Sequence, residues 1–347
     1  MNDIDEMPLV TFGIVNCNRL HYFKSCLESL LFCTQDYKNK EIIVVDNASV
    51  EPGTDEYLNE LRSRGIHVYK TSNRDPNNEY ARALNYIVKN AQGDYVCPLA
   101  GDMQFIVQGG WLYEFIKFYE QNPLTVGCIS FDAQRRITNR SHQYGPIVST
   151  GKYRFIYDES RPPIATSANC LFSKENLELM GPWEVDNLAH EGGNDSENKM
   201  WRKVMELKHF KKIEWTQVLP IVPVSIAIWN DPRGTNARVR DNKRYGEYWA
   251  PKKDFRYYEI YKFDEITHMD NDKNMFPLEV ERLAQGIGWR VPIDASGAWK
   301  KNPIDPVSAM PGDYTVIDLP DDGHEIIHES LKADEQYDYL SEWLDEN

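Results

Sequence analysis

The first hundred residues alternate between short, densely apolar runs and longer stretches in which apolar residues recur every three or four positions. Residues 9–15 (Leu-Val-Thr-Phe-Gly-Ile-Val) form a run rich in β-branched and aromatic side chains that stops at Asn16-Cys17-Asn18-Arg19, a strand followed by a loop. From Leu20 onward Phe23, Leu27, Leu30 and Leu31 fall on one stripe, which predicts a helix lying on a sheet. Glu41-Ile42-Ile43-Val44-Val45 is almost wholly apolar, as suits a parallel strand covered on both faces, and it runs into Asp46-Asn47-Ala48-Ser49. Tyr57, Leu58 and Leu61 mark a second helix, closed at Gly65, and Ile66 to Tyr69 a third strand. Tyr80, Leu84, Ile87 and Val88 make a third stripe, and residues 95–99 a fourth strand that ends at Ala100-Gly101-Asp102. This β-α-β-α-β-α-β order predicts an α/β domain with a mostly parallel sheet and right-handed crossovers. Ligands of such sheets sit outside the carboxyl ends of the strands, which selects three loops: 16–19, 46–49 and 100–102.

Further along, Trp111, Leu112, Phe115, Ile116 and Tyr119 have helical spacing and read as packing, with Pro123 ending the element. Residues 135–161 are polar, with turn residues at Gly145-Pro146, and suggest a long excursion of the kind that shapes specificity. Met200, Trp201, Val204 and Met205 mark another helix. Between Arg233 and Arg256 basic residues outnumber acidic ones, and beyond Asp318 the chain is strongly acidic while keeping an apolar stripe that suits a docked helix.

Charge and composition narrow the function. The chain has 347 residues, with 54 Asp plus Glu against 39 Lys plus Arg, a formal charge of −15. Such a surface repels polyanions, so a nucleic acid partner is not favoured. The longest apolar stretch, 218–229, is interrupted by Pro220 and Pro223 and is about half the ~20 residues a spanning helix needs. The acidic first residues lack the pattern of an export signal, so a cytoplasmic location is expected. Six dispersed cysteines have neither C-x-x-C nor zinc-ligand spacing and suit reduced thiols. No G-x-G-x-x-G follows the first strand and no P-loop occurs, so any phosphate chemistry is expected to need a metal.

The segments 10–19, 26–31, 41–49 and 91–102 resemble, in order and spacing, the glycosyltransferase family 2 enzymes. A second block, Ser167 to Lys174, Met180 to Trp183 and Asn194 to Glu197, resembles their acceptor half, and the likeness extends over roughly residues 8–250. It implies a GT-A fold: a mixed, mostly parallel Rossmann-like sheet flanked by helices. A donor-binding half would span 1–104, an acceptor and catalytic half 105–250, and a C-terminal extension with an acidic terminal helix 251–347. The implied activity is inverting transfer of a sugar from a nucleotide-diphosphate donor, UDP-linked, to a hydroxyl of a saccharide or glycoconjugate.

By the same resemblance Asp46, Asn47, Asn16, Asn18 and Arg19 would line the nucleoside pocket, and Gly101 and Asp102 the diphosphate, with Asp102 anchoring Mn²⁺ or Mg²⁺. The family's D-x-D reads here Ala100-Gly101-Asp102, without its first carboxylate. Arg82, Arg233 and Arg238 would offset diphosphate charge. Asp195 would be the base that takes the acceptor proton, with Glu191 and Glu197 as further candidates, and Trp183 and Trp201 would stack on the acceptor. Each residue also has a plain alternative: a helix cap for Asp102 and Asp195, a turn for Asp46, a solvated face for the arginines, core for the tryptophans. A catalytically silent sugar-nucleotide or glycan binder of the same fold is the competing function; a nucleotidyltransferase is a weaker third. The C-terminal region is a candidate homo-oligomer contact.

Overall fold

The computed structural model describes residues 7–18, 20–75, 78–131, 144–150, 153–158, 169–185, 196–211, 213–220, 224–227 and 261–262. The elements in chain order are β1 (Val10–Asn16), α1 (Leu20–Cys33), β2 (Lys40–Asp46), α2 (Thr54–Ser63), β3 (His67–Lys70), α3 (Glu79–Asn90) and β4 (Tyr95–Ala100). Then come β5 (Met103–Phe105), β6 (Val107–Gln108), α4 (Trp111–Gln121), β7 (Val126–Ser130), β8 (Tyr144–Thr150), β9 (Tyr153–Asp158), β10 (Cys170–Ser173) and α5 (Lys174–Met180). The last are α6 (Ser196–Lys211), β11 (Thr216–Pro220), β12 (Ser225–Ala227) and β13 (Tyr261–Lys262). The alternation read from the first hundred residues is the one observed.

Among the described residues the main sheet has nine strands in the order β3-β2-β1-β4-β10-β7-β11-β9-β8. Strands β1 to β4 pair in parallel, β10 runs antiparallel to both β4 and β7, and β11 is parallel to β7. The chain builds outward from β1 through β2 to β3, then returns to lay β4 on the other side of β1. The order therefore reverses between β1 and β4, and the carboxyl ends of these two strands flank the crevice.

The apolar runs become central strands because each face has its own helical cover. Along β1 and β2, Phe12, Ile14, Ile42 and Val44 enter one core with Phe23, Leu27 and Leu30 of α1, Leu58 and Leu61 of α2 and Trp111, Phe115 and Ile116 of α4. Val15, Ile43 and Val45 enter a second core with Leu84 and Ile87 of α3, Leu177 of α5 and Met200 and Val204 of α6. This is the period-2 division of a sheet covered on both sides. Gly13 sets the closeness of α3: a Cβ there would meet Ile87 Cγ2 at 2.2 Å, so a larger residue forces the helix outward.

The stretch read as a polar excursion in fact contributes a hairpin, β8 with β9, which extends the sheet beyond β11. Pro146 is tolerated because β8 is the last strand and its pairing is irregular between Tyr144 and Ile147. Strand β13 pairs in parallel with β6, bringing residues 261–262 back to the region after β4. The remainder of the 251–347 extension, including the acidic terminal helix and oligomer contact expected there, lies outside the described residues. None of the six cysteines is in a disulfide. No described helix is long and apolar enough to cross a membrane.

Candidate donor site at the switch point

The loops after β1 and β2 are joined by a closed set of side-chain hydrogen bonds centred on Asp46. Its carboxylate is 0% exposed and accepts from Asn16 Nδ2 (2.7 Å), the Ser49 backbone N–H (2.9 Å) and Ser49 Oγ (2.6 Å). A buried carboxylate is costly unless surrounded by donors, and three of them meet that requirement here. The Asp46 carbonyl also accepts from Thr71 N–H (2.9 Å), which ties in the end of β3. Asn18, 1% exposed, stands in the left-handed region at φ 52°, and its Oδ1 accepts from Val50 N–H (2.8 Å) and Glu51 N–H (3.2 Å). Ala48 is also left-handed, at φ 49°. Two non-glycine residues in this sparsely occupied region, held by surrounding bonds, show that the loop shape is over-determined. Glu51 in turn accepts from the first N–H of α1, at Leu20 (2.6 Å), so the second loop caps the helix after the first.

Asp46 and Asn18, singled out from the sequence as nucleoside contacts, thus have a first duty to the protein itself: they hold the two loops in register. Asn47 joins them, its N–H donating to Asn16 O at 2.8 Å.

The third loop sits against the first. Gly101 N–H donates to Val15 O (3.0 Å), and a Cβ on Gly101 would lie 3.0 Å from that oxygen and 3.7 Å from Asn16 Oδ1. The crowding explains a glycine between Ala100 and Asp102. The Cys26 thiol of α1 donates to Ala100 O at 3.7 Å. Burial pushes that thiol well above its ordinary pKa, and the nearby negative charge of Asp102 adds to the shift. Asp102 itself is half-buried at the mouth of the loop. Among the described residues no three His, Cys, Asp or Glu side chains stand close enough to hold a metal ion. Asp102 alone would give a divalent cation one protein oxygen, so the remaining ligands would have to come from elsewhere, as Mg²⁺ takes them from substrate phosphates and water.

Arg74 was not among the residues selected from the sequence. It follows β3, and its Nε and Nη2 donate to both carboxylate oxygens of Glu79 at 2.7 and 2.6 Å. Burial works against the guanidinium charge, but the Glu79 hydrogen bonds and the proximity of Cys17, Glu79 and Asp46 outweigh it, so its pKa is raised. A fixed cation therefore stands beside the first two loops. The rule of strand carboxyl ends, applied to β3 as well, would have found it. Arg82 is 58% exposed and pairs with Asp75 at 2.9 Å.

Trp183 sits in the core, the plain alternative given for it above. It is 2% exposed, packs in the second core, and exchanges two hydrogen bonds with Asn85: Trp183 N–H to Oδ1 (2.8 Å) and Asn85 Nδ2 to Trp183 O (2.7 Å). Trp201 is half-buried on α6, and Glu197 lies in the first turn of the same helix. Arg19, Glu191, Asp195, Arg233 and Arg238 lie outside the described residues.

An open, mixed sheet with a parallel β1 to β4 half, covered by helices on both faces and with polar loops converging at its switch point, defines an α/β protein of the doubly wound type. Residues 11–180 match the family model described as Glycosyl transferase family 2, and this segment belongs to that family, with its GT-A fold. The chain is 32% identical over 126 residues to the uncharacterized protein y4gI of Sinorhizobium fredii, a match covering 36% of this chain and 13% of that protein. It is 33% identical over 93 residues to "Putative glycosyltransferase EpsE" of Bacillus subtilis, covering 27% and 32%. The matches thus span less than a third of either relative's length. Among solved structures, mannosyltransferase PcManGT from Pyrobaculum calidifontis, in complex with GDP-Man and Mn²⁺, is similar at 16% identity and a TM-score of 0.43, covering 70% of this chain and 63% of that one. At that level the likeness says nothing of the donor or ion this chain would take.

Proposed function

We propose that the chain is an inverting glycosyltransferase that moves a sugar from a nucleotide-diphosphate donor, UDP-linked, to a hydroxyl of a saccharide or glycoconjugate. The observation that carries this reading is the meeting of the β1, β2 and β4 loops at the switch point of a family 2 segment. The Asp46 network would give the nucleoside a rigid wall, with Asn16, Asn47 and Arg19 lining it. Arg74, Arg233 and Arg238 would offset the charge of the diphosphate, and Asp102 would face the donor at the opposite side. In the transfer itself, the acceptor oxygen bonds to the anomeric carbon as the carbon–phosphate oxygen bond breaks, and the electron pair leaves with the diphosphate. The acceptor proton passes to a carboxylate, for which Asp195 is the first choice and Glu191 and Glu197 the alternatives; such a base contributes roughly 10²–10⁴-fold. Mn²⁺ or Mg²⁺, bound with Asp102 as one ligand, would stabilise the leaving diphosphate.

The test is a thermal-shift panel of UDP, GDP, UDP-glucose, UDP-N-acetylglucosamine and GDP-mannose, with and without Mn²⁺, followed by donor hydrolysis. A bound donor raises the melting temperature by mass action. Hydrolysis that Asp195→Asn abolishes while donor binding persists supports the enzyme. A second reading, a silent sugar-nucleotide binder, is favoured by Ala100 where the family carries a carboxylate; binding with no turnover toward any acceptor would select it. A chain that binds none of the panel refutes both.

A further inference from the structure

We infer that Asn169 is a positioning residue of the donor site, fixing the loop that carries Asp102; this rests on the donor-binding reading above. Strand β10 pairs with β4 only at Phe172 with Val96 and Ser173 with Tyr95, and with β7 at Cys170 with Ser130 and Leu171 with Ile129. Toward the switch point its regular backbone pairing stops. Tyr95 and Gly101 donate toward Leu9 and Val15 on the β1 side, so the N–H groups of even-numbered β4 residues face β10. At position 98 that donor is missing because the residue is proline, and the ladder lapses one step short of Ala100.

Asn169 bridges the lapse. Its N–H donates to Pro98 O (2.6 Å), its carbonyl accepts from Phe131 N–H (2.9 Å), and its side-chain Oδ1 accepts from Ala100 N–H (3.0 Å). The residue is 5% exposed and left-handed at φ 70°. Asparagine suits the place on two counts: it enters the left-handed region at small cost, and its short amide supplies an acceptor where the strand supplies none. The neighbouring Gly101 N–H is held by Val15 O, so the two peptide units before Asp102 are anchored from opposite sides, one by β1 and one by the Asn169 carboxamide. Of the two acceptors that hold these N–H groups only the carboxamide is a side chain, so substitution can remove it alone.

Asn169→Gly keeps the left-handed backbone and both backbone bonds but deletes the acceptor, whereas Asn169→Asp restores an acceptor at the same reach. Hydrogen exchange, the thermal midpoint and the affinity for UDP-N-acetylglucosamine, UDP-glucose and GDP-mannose with Mn²⁺ are measured for both variants and the parent chain. The expected result for Asn169→Gly is faster exchange confined to residues 99–103, a midpoint within a few degrees of the parent, and affinity for the bound donor down about ten-fold, while Asn169→Asp restores slow exchange at Ala100. Unchanged exchange at 99–103, unchanged affinity in the glycine variant, or exchange at Ala100 as fast in the aspartate variant as in glycine overturns the inference. A parent chain that binds none of the three donors refutes the functional reading instead, whatever the exchange pattern shows.

Discussion

The two sides of the switch point are built differently. On the β1–β2 side a buried carboxylate gathers three donors, two asparagines and a serine bond across the loops, and Glu51 caps the next helix. On the β4 side Asp102 stands on a loop that bonds to Val15, Cys26 and Asn169. The first side is a finished framework before any ligand arrives. The second presents a half-buried carboxylate on a loop whose described contacts include the Asn169 carboxamide and the Cys26 thiol. In such a division, loss of a framework residue is felt as stability, and loss of an exposed-side residue as binding.

The sharpest way to break this comparison is Asp46→Ala. It strands three buried donors and should cost about 3–5 kcal/mol in chemical denaturation, unfolding a marginal domain; a loss under ~1 kcal/mol would mean the network does not hold the loops. Trp183→Ala should cost a similar ~3–5 kcal/mol by cavity formation. If instead the variant keeps its denaturation midpoint and only acceptor KM rises, the tryptophan faces a ligand and the core assignment is wrong. Asp102→Asn should leave stability within about 1 kcal/mol while weakening donor affinity about ten-fold or more, read by calorimetry. Equal damage to both quantities would erase the distinction between the two sides. Glu79→Gln, which loosens Arg74 without removing it, should lower donor affinity by roughly three- to ten-fold with little change in midpoint. The smallest effect belongs to Arg82→Ala: its exposed pair with Asp75 should be worth less than about 0.5 kcal/mol.

The elements up to Asp102 were legible because local pattern and tertiary role agree there. Ile43 and Val45 alternate with Ile42 and Val44 into two different cores, so a run that is apolar at every position has one reading as a doubly covered strand. The β8–β9 hairpin was hidden by Gly145-Pro146, which signals a turn in isolation and is accepted at the edge of the described sheet, where no described strand needs the missing N–H. Arg74 lay in a loop whose importance came from where β3 ends, and the choice between platform and core for Trp183 stayed open because sequence spacing is silent about depth. Asn169, in a stretch noted only for resemblance, acquired meaning from Pro98, some seventy residues earlier in the chain.

Periodicity and turn chemistry alone determined the alternation of strands and helices, and the crossover rule then implies parallel pairing of β1 to β4 with three loops at their carboxyl edge. Which polar groups turn inward to hold those loops, and which remain to meet a ligand, was decided only by the tertiary structure. A carboxylate carries the same chemistry at position 46 or 102. Its task depends on how many donors the fold brings around it, and that number is set by strands far apart in sequence.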